Sequence, residues 1–175
     1  MQPTDYDLRE ATAHDVPTIL EIVRGAQRRL AAAGIDQWQN GYPNREVIEN
    51  DIRSSVARVV CHEGRVVAYG AVVYTGERAY EHLRGGEWLT KGTNYATVHR
   101  LCVAESLVGR GVGRGFMDLV EVDALRHDVA SVRVDTHPDN KTMQHLLDSL
   151  GYIYCGVVCY ESERLAYEKM VVGSL

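Results

Sequence analysis

Apolar and polar positions change period several times along the chain, and each change marks an element. Tyr6 to Ala11 alternates as a short strand, and Thr12, Asp15 and Pro17 then supply a helix start. Val16, Ile19, Leu20, Val23, Ala26 and Leu30 recur at steps of three and four, which predicts one apolar helical face ending near Gly34. Ile35 to Pro43 has no period and carries turn formers, so it reads as a loop. Asn44 caps a shorter helix through about Arg53, with Val47, Ile48 and Ile52 on one face. The period then becomes that of strands: Arg58 to His62, the turn Glu63-Gly64, and Arg65 to Tyr74 make a hairpin of β-branched residues. Gly76 to Asn94 is a polar, glycine-bearing excursion, and loops of that length in compact domains are usually functional or mobile. Tyr95 to Val103 is a fourth strand. A helix follows from near Phe116 to about His127 with Phe116, Leu119, Val120 and Ala124 inward, and Ser131 to Thr136 alternates as a fifth strand. Pro138 and Asp139 open a fourth helix, whose Met143, Leu146, Leu147 and Leu150 share a face and which Gly151 stops. Tyr152 to Tyr160 and Arg164 to Val171 close the chain as two strands around Glu161-Ser162-Glu163.

Between the fourth strand and the helix after it stands Val108-Gly109-Arg110-Gly111-Val112-Gly113-Arg114-Gly115. A glycine run that opens a helix lets another molecule approach the main chain and offers free N–H groups to an anion. Spacing separates the phosphate-binding patterns. A P-loop needs a glycine, four further residues and then Gly-Lys-Ser/Thr, and no such run exists. The dinucleotide fingerprint needs a sixth-position glycine, but Arg114 and Phe116 stand there when counting starts at Gly109 and Gly111. The competing structural reading is a turn that packs a helix tightly on a sheet.

Length and composition bound the rest. A chain of 175 residues suits one domain with a substantial core. Its 45% hydrophobic and 25% charged residues are those of an ordinary globular protein. No apolar run approaches the length that crosses a bilayer, and Met1 to Asp5 lacks the basic-then-apolar order of a secretion signal, so the expectation is a cytoplasmic protein without a membrane partner. A net charge of -5 and a pI of 5.8 argue against nucleic acid and fit a cationic or neutral small substrate. Cys61, Cys102, Cys155 and Cys159 form no Cys-x-x-Cys pair and read as reduced thiols. The seven histidines show no ligand spacing, so no metal is expected.

The run Val108 to Gly113 resembles the acyl-CoA signature of the GNAT superfamily of N-acetyltransferases, Gln/Arg-x-x-Gly-x-Gly/Ala, with Gly111 and Gly113 as the two small positions and Val108 where the family usually has Gln or Arg. Asn140 to Tyr152 resembles the family's Asn-x-x-Ala-x-x-Leu-Tyr-Glu-Lys-Leu-Gly-Phe segment, and the order β-α-α-β-β-β-α-β-α-β-β is similar to the family's. The resemblance implies an α/β (α+β) fold: a central, mostly antiparallel mixed sheet of about seven strands, splayed between the fourth and fifth and flanked by four helices, in a single domain over 1–175. It also implies acetyl-CoA as co-substrate, without a metal, held by Val108, Gly109, Arg110, Gly111, Val112, Gly113 and Arg114, by main-chain groups of Leu101, Cys102 and Val103, and by Asn140. Asn140 has helix-start residue as its rival role.

The expected reaction is attack by a primary amine of a small molecule, peptide or protein on the acetyl thioester within a ternary complex. An ammonium with a pKa of roughly 10.4 must first lose its proton. Many relatives place a glutamate on the fourth strand shortly before its Leu-x-Val end, a neighbourhood that His99 occupies here, and histidine suits that task at neutral pH; its alternative is a packed strand residue bonded to a neighbour. The family's usual acid is a tyrosine at the position of Leu147, so Tyr160, with Tyr152 and Tyr154 nearby, is left as a weak substitute, or the thiolate leaves unassisted. Asp135 and His137 close the fifth strand, with a capped turn as their competing reading. Trp38, Tyr42 and Trp88 are aromatic residues in otherwise polar loops and are candidates for the acceptor amine, or plugs at the ends of the core. A catalytically weakened acyl-CoA sensor or scaffold is the alternative function. A homodimer through the exposed edges of the last two strands is a further expectation.

Overall fold

The computed structural model describes residues 6–171. Its elements follow in the order β1 (Asp7–Glu10), α1 (Val16–Ala32), α2 (Arg45–Arg53), β2 (Ala57–His62), β3 (Arg65–Val73), β4 (Tyr95–Val103), α3 (Val112–Arg126), β5 (Ser131–Thr136), α4 (Lys141–Ser149), β6 (Ile153–Cys159) and β7 (Glu163–Met170). The strands line up as β1-β2-β3-β4-β5-β7-β6 in one seven-stranded sheet. β4 and β5 pair in parallel, whereas β1 with β2, β2 with β3, β5 with β7 and β6 with β7 are antiparallel. This is the mixed, mostly antiparallel sheet with four helices that the family resemblance implies.

Two compact units divide the chain. The first holds the residues through Val72 together with Arg100–Leu119. Here α1 buries Val16, Ile19, Leu20, Val23 and Ala26, the face its spacing marks, against Ile48 of α2 and Ala57, Val59 and Tyr69 of the β2–β3 hairpin. Burying each large aliphatic side chain fully contributes roughly 1.5–3 kcal/mol. Asn44 caps α2 as expected, its side chain accepting from the Val47 N–H at 3.1 Å. The hairpin turns on Glu63 and Gly64, both at positive φ (48° and 74°), the geometry that matches strand twist in a two-residue turn.

The second unit holds Val73–His99 and the residues from Val120 onward. The excursion from Gly76 to Asn94 contains a 3-10 turn at Arg78–His82 and is fastened from within this unit. Arg133 of β5 lies between the rings of Trp88 and Tyr95, 4.2 Å and 3.8 Å from their centroids, and its Nε donates to Glu168 of β7 at 3.1 Å. Glu168 is fully buried and also accepts from the Leu89 N–H at 2.6 Å and from the hydroxyls of Thr90 and Ser131. Burial pushes the Glu168 carboxyl up, but the bonds from Ser131, Thr90 and Arg133 together outweigh it and hold it below its ordinary value.

Two expectations need correction. α3 starts at Val112 and not near Phe116, because Val112, Phe116 and Met117 are all buried and their packing overrides the poor helix propensity of Gly113 and Gly115. Of the last two strands only β6 is an edge, since β7 lies between β5 and β6, and part of the β6 edge is occupied by two main-chain bonds between Arg84 and Val157.

Candidate active site

The first unit carries the glycine loop. Gly109 and Gly111 adopt φ values of 77° and 84°, a region that L side chains enter only at a cost. A methyl group built on either would meet no protein atom within 4 Å, so these positions face open space. Gly111 also accepts the Gly115 N–H at 2.9 Å and closes the first turn of α3. Helix geometry therefore leaves the N–H groups of Val112 and Gly113 without a carbonyl inside the helix, at the positive end of its dipole. Exposed Arg110 adds a cation beside them. The donor set suits a phosphate, and the open space suits its close approach. Gly115 serves a different purpose: a Cβ there would stand 2.7 Å from the Tyr6 ring. The run thus divides into two glycines that keep the main chain accessible and one that lets an aromatic ring pack. Val108 is exposed and follows a 3-10 turn at Glu105–Leu107.

Leu101, Cys102 and Val103 end β4. Cys102 is buried in the core of the first unit, and burial pushes its thiol up to about 12, so it is neither a nucleophile nor an acid at neutral pH. Leu101 and Val103 are half-buried, and the Val103 carbonyl accepts from Arg29 of α1 at 3.2 Å. The register between β4 and β5 runs from Tyr95 opposite Ser131 to Val98 opposite Val134, before this segment begins.

Arg100, which sits between His99 and Leu101, has a φ of 59°. Its guanidinium makes a two-point ion pair with Asp51 of α2, Nε to Oδ2 at 2.9 Å and Nη2 to Oδ1 at 2.7 Å, and Nη1 donates to the Tyr42 hydroxyl at 2.8 Å. The Asp51 carboxylate also accepts from the Tyr69 hydroxyl. Burial and then the Asp51 charge push the Tyr69 phenol far up, which keeps it a donor. Tyr42, at 40% exposure, is therefore tied by Arg100, while Trp38 packs half-buried on the core of this unit with a φ of 61°.

The second unit carries His99. Its Nε2 lies 3.0 Å from Oε2 of Glu77, in the excursion after β3. A carboxylate only accepts, so Nε2 is the donor and Nδ1 of the neutral ring bears the lone pair. Beside it, at 6.4 Å between ring centroids, is Tyr80, whose hydroxyl donates to Asp135 at 2.7 Å. The Tyr160 hydroxyl reaches the same Asp135 oxygen at 3.4 Å. Burial pushes the Asp135 carboxyl up, against the bond from Tyr80. Trp88 is a plug here: its indole N–H donates to the Tyr80 carbonyl at 2.9 Å and Arg133 covers a ring face. Asn140 caps α4, accepting from the Met143 N–H at 3.1 Å, and His137 accepts the Asp139 N–H at 3.1 Å. Leu147 is fully buried.

A model of the acetyltransferase (GNAT) family matches residues 25–152. The chain belongs to the GNAT acetyltransferase family. At 36% identity and a TM-score of 0.88, it is similar to a GNAT-family acetyltransferase from Streptococcus agalactiae 2603, over 94% of this chain and 95% of that one. Two more distant structures share the fold. One is the paiA N-acetyltransferase from Thermoplasma acidophilum in complex with coenzyme A (15% identity, TM-score 0.71, 94% and 98% covered), and the other is Ard1 from Thermoplasma volcanium (16%, 0.70, 97% and 99%). No curated protein matches the sequence.

As a GNAT member the chain is an acyltransferase, and the family uses acetyl-CoA and acts on amines. Within this GNAT chain, sequence reasoning passed over Asp51, Glu77 and Tyr80. Asp51 had a visible signal, a carboxylate three residues after Ile48 on the apolar face of α2. Glu77 and Tyr80 had none, since an aperiodic excursion does not disclose which of its residues return to β4.

Proposed function

We propose that this GNAT protein transfers an acetyl group from acetyl-CoA to a primary amine of a small molecule, peptide or protein by direct attack in a ternary complex. The observation that carries the proposal is the opening of α3, where Gly109 and Gly111 stand at positive φ with open space around them at the N-terminus of a helix. Acetyl-CoA, when bound, supplies an acetyl group already activated as a thioester.

Val108 to Arg114 receive the pyrophosphate, mainly through the main chain, which is why the absence of Gln or Arg at Val108 is tolerated. Leu101, Cys102 and Val103 offer main-chain groups to the rest of the cofactor, and Asn140 contributes beside its capping role. His99 accepts the amine proton at Nδ1, directly or through water, while Glu77 holds the ring by Nε2. Tyr160 is the available acid for the leaving thiolate, and Asp135 orients it. Tyr42 and Trp38 contact the acceptor, and Trp88 serves by holding the excursion in place. Four free cysteines suit the reducing cytoplasm, and the described residues include no helix that could cross a membrane and no cluster able to hold a metal. Ile153 and Tyr154, both exposed on edge strand β6, support a homodimer through that edge. All of 1–175 serves as one acetyltransferase domain in this reading.

Leu147, buried where relatives carry a hydroxyl, favours the alternative of an acyl-CoA sensor with weakened chemistry. A panel of primary amines with detection of released thiol separates the two. Saturable, amine-dependent release supports the enzyme. Acetyl-CoA that raises the unfolding temperature without turnover on any amine supports the sensor, and no shift with any acyl-CoA contradicts both. Ligand at about 100 times its Kd adds roughly 2.7 kcal/mol of stability.

A further inference from the structure

We propose that Arg100 and Asp51 are positioning residues for acetyl transfer: their buried ion pair holds residue 100 in the left-handed conformation, which sets the peptides that join it to His99 and Leu101. The inference rests on the reading of His99 as proton acceptor and of Leu101 to Val103 as a main-chain edge for the cofactor.

Among the described residues, the other non-glycine positions at positive φ are Trp38, Ser55, Glu63 and Asp128, and all lie in loops or turns. Arg100 alone has this conformation inside a strand, the local geometry of a bulge, where one residue is turned out of the pleat. A bulky side chain held there needs its surroundings to impose it. The imposition is visible: Nε and Nη2 grip both oxygens of Asp51, and Nη1 grips the Tyr42 hydroxyl. With side chains only 16% and 9% exposed, the pair is anchored on α2 and cannot follow the backbone if residue 100 relaxes to an extended form. Such a pair is poorly explained as a stabiliser, because removing two charges from water offsets most of their attraction, and well-packed apolar residues do as well. What a rigid fork adds is direction. The φ of residue 100 determines how the His99–Arg100 peptide is turned relative to the Arg100–Leu101 peptide. One carries the proposed proton acceptor, and the other begins the proposed cofactor edge.

The test compares two double variants, Asp51→Asn with Arg100→Gly and Asp51→Asn with Arg100→Ala. Both lose the ion pair and leave no unpaired buried charge, but glycine accepts a φ of 59° freely and alanine does not. With acetyl-CoA and the best amine of the panel, the glycine version is expected to keep a kcat roughly tenfold or more above the alanine version. A purely structural pair predicts versions that differ in unfolding free energy but share one kcat per folded molecule, so equal kcat values overturn the proposal. Should the double variants fail to fold, Arg100→Lys keeps the charge without the fork. It is expected to lose kcat by roughly tenfold while the acetyl-CoA KM stays put, and an unchanged kcat overturns the proposal. His99→Ala assayed in parallel separates the premises: if its turnover is normal, the proton-acceptor reading fails, whatever the glycine–alanine comparison returns.

Discussion

At the scale of single residues, Gly111 and His99 carry the strongest expectations. Gly111→Val puts a side chain into open space at a φ of 84°, so backbone strain lowers stability by about 1–2 kcal/mol without any protein clash. Its acetyl-CoA affinity is expected to fall well beyond that, and calorimetric titration of the folded variant checks it. His99→Ala is expected to lower turnover by about 100-fold to 10,000-fold, as steady-state rates at saturating acetyl-CoA check. The four thiols supply a structural check: exposed Cys159 should react with a thiol reagent in the native state, whereas Cys102, buried and pushed up to about 12, should resist until unfolding. Glycines, histidine and cysteines could all be picked out by residue type and spacing. The partners Glu77 and Asp51 could not, because a pairing across 22 residues (Glu77 to His99) or 49 residues (Asp51 to Arg100) leaves no local trace.

Among elements, α1, α2, β4, β5 and α4 were legible almost to the residue, since each has one apolar face and a distinct stop, as with Asn44 before α2 and Gly151 after α4. The start of α3 is not legible in the same way, because glycine propensity argues against a helix that buried Val112, Phe116 and Met117 nonetheless hold. The excursion before β4 shows in the sequence only as an aperiodic stretch, and its fastening by Arg133 and Glu168 has a pH signature. Glu168 has its carboxyl held below the unfolded value, so its ionised form contributes stability that is fully present above about pH 4.3 and is lost as pH falls through the lower folded value. Glu168→Gln should therefore be less stable than the parent at neutral pH, with the gap closing in acid, as followed by urea unfolding at several pH values. Arg133→Met leaves Glu168 buried and unpaired and is expected to cost about 3–5 kcal/mol.

For the whole molecule, the number and sequence of strands and helices follow from the alternation of periods, and the family from two motifs in the right order, while the pairing of the strands was implied only by the resemblance. Acceptor identity does not follow, because it depends on loops such as 35–43, where Tyr42 is held by an arginine from a distant strand. Direct transfer from acetyl-CoA to an amine, without an acyl-enzyme, is the proposed reaction, and it suits a chain whose buried Cys102 thiol, on the same strand as His99, stays protonated. Initial rates measured while acetyl-CoA and amine are both varied test it most directly. Intersecting double-reciprocal lines, with an N-acetylated amine formed mole for mole with free CoA, are the expected result. Parallel lines, or acetyl transfer onto the protein from acetyl-CoA alone, would contradict it.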